Sequence, residues 1–102
     1  MGNDPETRVQ VKKILELIKS LAPGKSVELR VPPYGAIQCV AGSNHRRGTP
    51  PNTVEMNAQT LIRLINEPAL WITLCESGEV RASGLLSDLS NLFAQAAEKY
   101  RA

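Results

Sequence analysis

The chain is poor in the residues that most often announce a chemistry. It has one histidine, two cysteines, one tryptophan, one phenylalanine and two tyrosines in 102 residues. No apolar run approaches the roughly 20 residues that cross a bilayer. A net charge of +2 from twelve basic and ten acidic residues lacks the concentrated basic excess expected of a nucleic-acid or anionic-membrane binder. Cys39 and Cys75 do not form a Cys-x-x-Cys pair, and His45 alone completes no zinc-ligand spacing with them, so neither a metal site nor a cofactor is expected. Met1-Gly2-Asn3-Asp4-Pro5-Glu6 has neither a basic leader nor an apolar stretch, and Glu6 stands where a myristoylation site needs Ser or Thr. A cytoplasmic location with reduced thiols is therefore expected, the cysteines acting as small apolar core residues. Gly24-Lys25-Ser26 is no phosphate loop, because Lys19 occupies the position of the first glycine and a helix precedes it.

What remains is an ordinary mixture, 42% apolar and 22% charged, long enough for one domain spanning residues 1–102 with a single core. Asp4, Pro5 and Glu6 open a helix on which Val11, Ile14, Leu15 and Ile18 recur at i, i+3, i+4, i+7, with Leu21 extending the stripe. Ala22-Pro23-Gly24 ends it. Val27, Leu29 and Val31 alternate with Glu28 and Arg30 as a half-buried strand, and Pro32-Pro33 marks an edge position or a strand end. A second strand, 36–40, pairs antiparallel with the first. Residues 42–52 form a loop, and Thr53–Met56 a short strand. Asn57 caps a helix to about Ile65, Asn66-Glu67-Pro68 breaks it, and a short helix runs from Ala69 to about Glu76. Val80–Ser83 is a strand, Gly84 a turn, and a helix capped at Ser87 carries Leu89, Leu92, Phe93, Ala96, Ala97 and Tyr100 on one stripe. The fold class is α+β: a mostly antiparallel sheet of four to five strands covered by helices, with the first and last helices on one sheet.

Two groups of residues are candidates for binding. In the loop, His45, Arg46, Arg47 and Asn52 are the ligand-binding candidates, the imidazole and two guanidiniums suited to a carboxylate or phosphate head group, with Gly48, Pro50 and Pro51 fixing the loop. The same residues also read as a structural crossover, with Thr49 and Asn52 capping turns. The apolar set Leu61, Leu64, Ile65, Leu70, Trp71, Leu74, Leu92 and Phe93 suits the wall of a hydrophobic-ligand pocket, and equally a plain core. Trp71, on a short helix between Pro68 and Gly78, is placed to act as a lid. Nucleophilic catalysis by a Cys-His pair is disfavoured because both thiols lie in apolar runs.

Val31-Pro32-Pro33-Tyr34-Gly35-Ala36-Ile37-Gln38-Cys39, the loop from His45 to Asn52, then Trp71, Gly78-Glu79-Val80-Arg81-Ala82-Ser83-Gly84 and Asp88-Leu89-Ser90 occur in an order that resembles the bacterial sterol-carrier-protein-like family of actinobacteria. The resemblance covers about Gly24 to Leu92, and the His45–Asn52 loop is its specific part. It implies a curved sheet packed against helices that enclose an apolar cavity, in proteins found alone or joined to mycothiol-dependent isomerase-like domains. Glu67-Pro68 departs from the glycine that such proteins often carry before the tryptophan. The resulting expectation is a non-catalytic binding or carrier module for a small apolar or amphipathic, lipid-like ligand. The alternative is an accessory interaction domain, a homodimer or a partner of a separate thiol-dependent enzyme, recruited through a strand edge near Val27–Val31.

Overall fold

The computed structural model describes residues 4–42 and 52–101, and every structural statement below concerns those residues. Helix α1 spans Pro5–Leu21. Strands β1 (Val27–Val31), β2 (Gly35–Cys39) and β3 (Asn52–Glu55) follow. Helix α2 covers Ala58–Asn66, a 3₁₀ turn Pro68–Leu70 leads into α3 (Trp71–Glu76), and β4 (Arg81–Ser83) precedes α4 (Ser90–Arg101). The class is α+β as the periodicities predict, with every described element within a few residues of its expected place.

Local chemistry accounts for most boundaries. Pro5 occupies the first turn of α1, where its missing N–H costs nothing. The Asp4 carboxylate accepts from the Thr7 hydroxyl at 2.7 Å and does not cap the backbone. Asn57 does cap α2, its Oδ1 accepting from the Thr60 N–H at 2.8 Å. The last helix starts later than Ser87 predicts. The Ser87 hydroxyl donates back to the Gly84 carbonyl at 2.7 Å, and Asp88 takes the N–H of Ser90 at 3.0 Å. The carboxyl of Asp88 is held below its ordinary range by its hydrogen bonds to Ser90.

The sheet order is β2-β1-β3-β4. β1 pairs with β2 antiparallel, with Val27 opposite Cys39 and Val31 opposite Gly35, and with β3 in parallel, with Val27 opposite Asn52. β3 and β4 are antiparallel. The sheet is thus mixed, with one parallel ladder in an otherwise antiparallel arrangement. It also corrects the reading of β1 as an edge: β1 lies inside the sheet, and Pro32-Pro33 sits in the hairpin turn beyond its end. The reason is β3, which pairs in parallel with the side of β1 opposite β2. The edges are β2 and β4, so recruitment through Val27–Val31 has no open ladder to use.

Helices cover one face of the sheet. Val27, Leu29 and Val31 point into the core, where they meet Val11, Ile14, Leu15 and Ile18 of α1 and Phe93 and Ala96 of α4. Glu28, Arg30, Glu55 and Arg81 lie on the opposite face and form a chain of ion pairs, the shortest being Arg81 Nη2 to Glu55 Oε2 at 2.8 Å. These groups are part-exposed, so each pair is worth at most about 1 kcal/mol. Core burial supplies the stability, and the surface charges supply alternation.

Cys39 and Cys75 are free, Cys39 fully buried and Cys75 half-buried. Burial pushes the Cys39 thiol from an ordinary value of 9.0 up to about 11. Burial first, then the charges of Asp88 and Glu76, raise Cys75. A thiol whose folded pKa is raised favours the native state while it stays protonated. That contribution is whole below pH 9.0 and is lost as the pH rises to about 11. We expect the melting temperature to fall across this window, and to fall less steeply in Cys39→Val. Equal slopes in the two proteins, measured by differential scanning calorimetry, would contradict the assignment.

Candidate functional site

Six of the eight apolar candidates are packed together deep in the interior. Leu61, Leu64, Ile65 and Phe93 have no exposed surface, and Trp71 and Leu74 retain 5% and 2%. Trp71 lies 5.8 Å from Phe93 between ring centroids, at a 33° tilt, close to the favoured range for aromatic pairs. They belong to the single cluster that also holds the inward residues of β1 and α1. Leu70 is half-buried at its margin. Trp71 therefore stands in the core beneath its own short helix, with Ile72 on the outside.

An accessible apolar surface does exist, at the end of the sheet where β1 begins. Leu85 is fully exposed and Leu86 is 41% exposed, on the turn between β4 and α4. Together with Leu21, Val40, Leu89 and Leu92 they form the apolar part of a cleft of about 380 Å³, within the usual range for small-ligand sites, whose rim also carries Asp88, Asn91 and Gln95. Leu89 and Leu92 are also members of the core cluster, so the floor of the cleft is the outer surface of the core. Two adjacent leucines in a turn, between Gly84 and Ser87, are the sequence signal for this surface, because turns are ordinarily polar.

Asn52 places the loop candidates relative to this cleft. Its buried side chain donates from Nδ2 to the Ser26 carbonyl at 2.7 Å and accepts at Oδ1 from the Leu86 N–H at 2.9 Å. Both ends of the amide are thus spent on backbone, binding the starts of β1 and β3 to the Leu85–Leu86 turn. Gly84 reaches Asn52 so closely that a Cβ there would collide with the amide, and its φ of +108° suits glycine. At the other end of the connection, a Cβ on Gly42 would lie 2.9 Å from Leu86 Cδ1. The segment that carries His45, Arg46 and Arg47 lies outside the described residues. Its two flanks, Gly42 and Asn52, both touch Leu86.

Among the described residues no group of three His, Cys, Asp or Glu side chains is placed to hold a metal, and no helix is long and apolar enough to cross a membrane. The thiols are held protonated by burial, which suits packing better than attack.

Over residues 4–94 the sequence matches the family model described as bacterial SCP ortholog, SCP denoting sterol carrier protein. A solved structure described as UbiJ-SCP2 ubiquinone synthesis protein is similar over 100% of this chain and 98% of its own, with a TM-score of 0.56 and 18% sequence identity. At that identity the likeness concerns the fold. No curated protein matches the chain.

The Asn52 clamp is directly testable. Asn52→Ala leaves the Ser26 carbonyl and the Leu86 N–H without their partner, which costs about 1–3 kcal/mol per unsatisfied buried group. We expect a loss of that order in urea unfolding, with faster amide exchange at Leu86. Unchanged exchange at Leu86 would show that the turn is held by other contacts.

Proposed function

Because the chain belongs to the family of bacterial sterol-carrier-protein orthologs, matched over residues 4–94, we propose that it is a non-catalytic carrier or binding module for an amphipathic, lipid-like molecule. The observation that carries this reading is the cleft under Leu85 and Leu86, with Gly42 and Asn52, the described flanks of the His45-Arg46-Arg47 loop, both beside Leu86. A ligand with an apolar body and an anionic head fits that juxtaposition. The body lies against Leu21, Leu86, Leu89 and Leu92, and the head meets the guanidiniums of Arg46 and Arg47, with His45 as a further donor. Asn52 enters as a positioning residue that fixes the loop to the leucine turn.

Magnitudes favour the cleft over the closed interior. A fully buried Leu, Ile or Phe contributes about 1.5–3 kcal/mol through burial alone. Parting Leu61, Leu64, Ile65, Trp71, Leu74 and Phe93 would forfeit much of the roughly 5–15 kcal/mol that holds a domain together. Micromolar binding returns only about 8 kcal/mol. The outer wall of the core is available without that cost.

Isothermal titration with oleate, and with oleyl alcohol as the uncharged counterpart, tests the reading. We expect micromolar affinity for oleate and weaker binding of the alcohol. Leu85→Ser/Leu86→Ser and Arg46→Ala/Arg47→Ala should each weaken oleate binding about tenfold, with the melting temperature nearly unchanged. If both double variants bind like the parent while Trp71→Phe weakens binding, the ligand lies in the interior among the six core residues. If oleate does not bind at all, the carrier reading fails.

A further inference from the structure

The second accessible groove lies on the opposite side of α1, and its wall is a sheet edge. β2 is the terminal strand on that side and pairs only with β1. Its sequence, Gly35-Ala36-Ile37-Gln38-Cys39, contains no charge and no proline, the devices that ordinarily blunt an exposed edge. The direction of its backbone groups follows from neighbouring hydrogen bonds. Arg30 gives its carbonyl to Met56 on the β3 side, so Val27, Leu29 and Val31 are the residues of β1 that face β2. Their partners Cys39, Ile37 and Gly35 face inward, and Ala36 and Gln38 turn their N–H and C=O away from the sheet. At Val40, where φ is +68°, the alternation ends: its N–H donates outward to the Ala22 carbonyl at 2.7 Å, while its carbonyl turns back to accept from the Ser26 N–H at 3.0 Å.

Helix α1 overhangs this edge and runs in the same direction. The N–H of Asp4 reaches the Tyr34 hydroxyl at 3.4 Å and Arg8 lies 5.8 Å over the Tyr34 ring at one end, while Ala22 bonds Val40 at the other. Between these two closures lies a groove of about 450 Å³, with Leu15, Tyr34 and Ile37 in its apolar part and Lys12, Lys19 and Glu16 along the helix. The rise from Arg8 to Lys19 is about 16 Å. From Gly35 to Cys39 the strand rises about 13 Å, so the groove runs the whole length of β2. Lys12, Lys19 and Glu16 form no ion pair among the described residues.

We infer that the outer edge of β2 and the overhanging stripe of α1 form a docking groove for an extended acidic peptide segment of a partner protein, which adds to the sheet as a fifth strand. Backbone groups of Ala36 and Gln38 supply the ladder, as in other edge-strand recognition. Side chains of the added strand that face α1 recur every second residue, about 7 Å apart. The row they meet runs Lys12, then Leu15 with Ile37, then Lys19. The complementary segment therefore reads acidic-x-apolar-x-acidic. A second copy of this chain is a poorer occupant, because pairing β2 with β2 brings two rows of Lys12 and Lys19 together. The groove is separate from the Leu85–Leu86 cleft, so this inference does not depend on the carrier reading.

The probe is a fluorescein-labelled heptapeptide, Thr-Glu-Thr-Val-Thr-Glu-Thr, followed by fluorescence polarisation at low salt. The native protein should bind it in a saturable way, and the same peptide with Lys in place of Glu should not bind. Gln38→Pro removes an outward N–H and should weaken binding about tenfold. Lys12→Glu/Lys19→Glu should weaken it at least as much, with the difference shrinking at 1 M salt as screening sets in. Amide exchange on the unmodified protein gives the independent readout: Ala36 and Gln38 should become protected when the peptide is added. Absence of binding, or binding without protection of those two amides, overturns the proposal. So does a dimer that Gln38→Pro dissolves, which would assign the edge to a second copy. Recruitment to phosphatidylglycerol vesicles that is lost in the lysine variant but kept in Gln38→Pro would assign the stripe to a membrane surface, and equally overturns it.

Discussion

The arrangement depends on one buried amide. Asn52 begins β3, yet its side chain bonds the carbonyl before β1 and the N–H of Leu86, thirty-four residues further on. Three separate stretches of chain meet there: the entry to the central strand, the end of the β2–β3 connection, and the turn that delivers α4. An amide has donors on one side and acceptors on the other, so it can satisfy a backbone carbonyl and a backbone N–H at once. No apolar residue could occupy this point without leaving both groups unpaired in a dry site. Gly84 is the matching constraint, since only the smallest residue at φ +108° lets the turn approach the amide.

From that anchor the functional geometry follows. With Leu86 pinned, Leu85 has no neighbour to cover it, and α4 is aimed so that Leu89 and Leu92 present one side to the cleft and the other to the core. The loop bearing the two arginines is attached beside the same turn at both its flanks. The other end of the argument is α1, whose inner stripe closes the core and whose outer stripe overhangs the free edge of β2. One helix thus separates a cleft that suits an apolar tail from a groove that suits an extended chain. A protein that carries a lipid-like molecule and also docks on a partner would need both kinds of surface.

Elements with strong local signals were legible in the amino-acid sequence. The stripe Val11, Ile14, Leu15, Ile18 and the alternation Val27, Leu29, Val31 are local patterns, and both face the core as their periods require. The sheet order was not legible, because β1 and β3 are joined by a parallel ladder whose partners lie twenty-five residues apart in sequence. Pro32-Pro33 was informative about a strand's end and silent about its neighbours. The candidate site was legible in its parts only. Asn52 stood out within its loop, but its partners Ser26 and Leu86 carry no mark of that pairing. Leu61, Leu64, Ile65, Trp71, Leu74 and Phe93 are indistinguishable in sequence as wall or as core, since both are apolar at helical spacing. Leu85 and Leu86 carry the one local mark of the cleft, an apolar pair in a turn.

Carbon-13 methyl spectra of the leucine- and isoleucine-labelled protein, recorded as oleate is added, separate the mouth from the interior in one titration. The expected result is a progressive shift of the methyls of Leu21, Leu85, Leu86 and Leu92, while those of Leu61, Leu64 and Ile65 stay in place. Shifts concentrated in Leu61, Leu64 and Ile65, with Leu85 and Leu86 unmoved, would contradict a ligand held at the end of the sheet and place it inside the core.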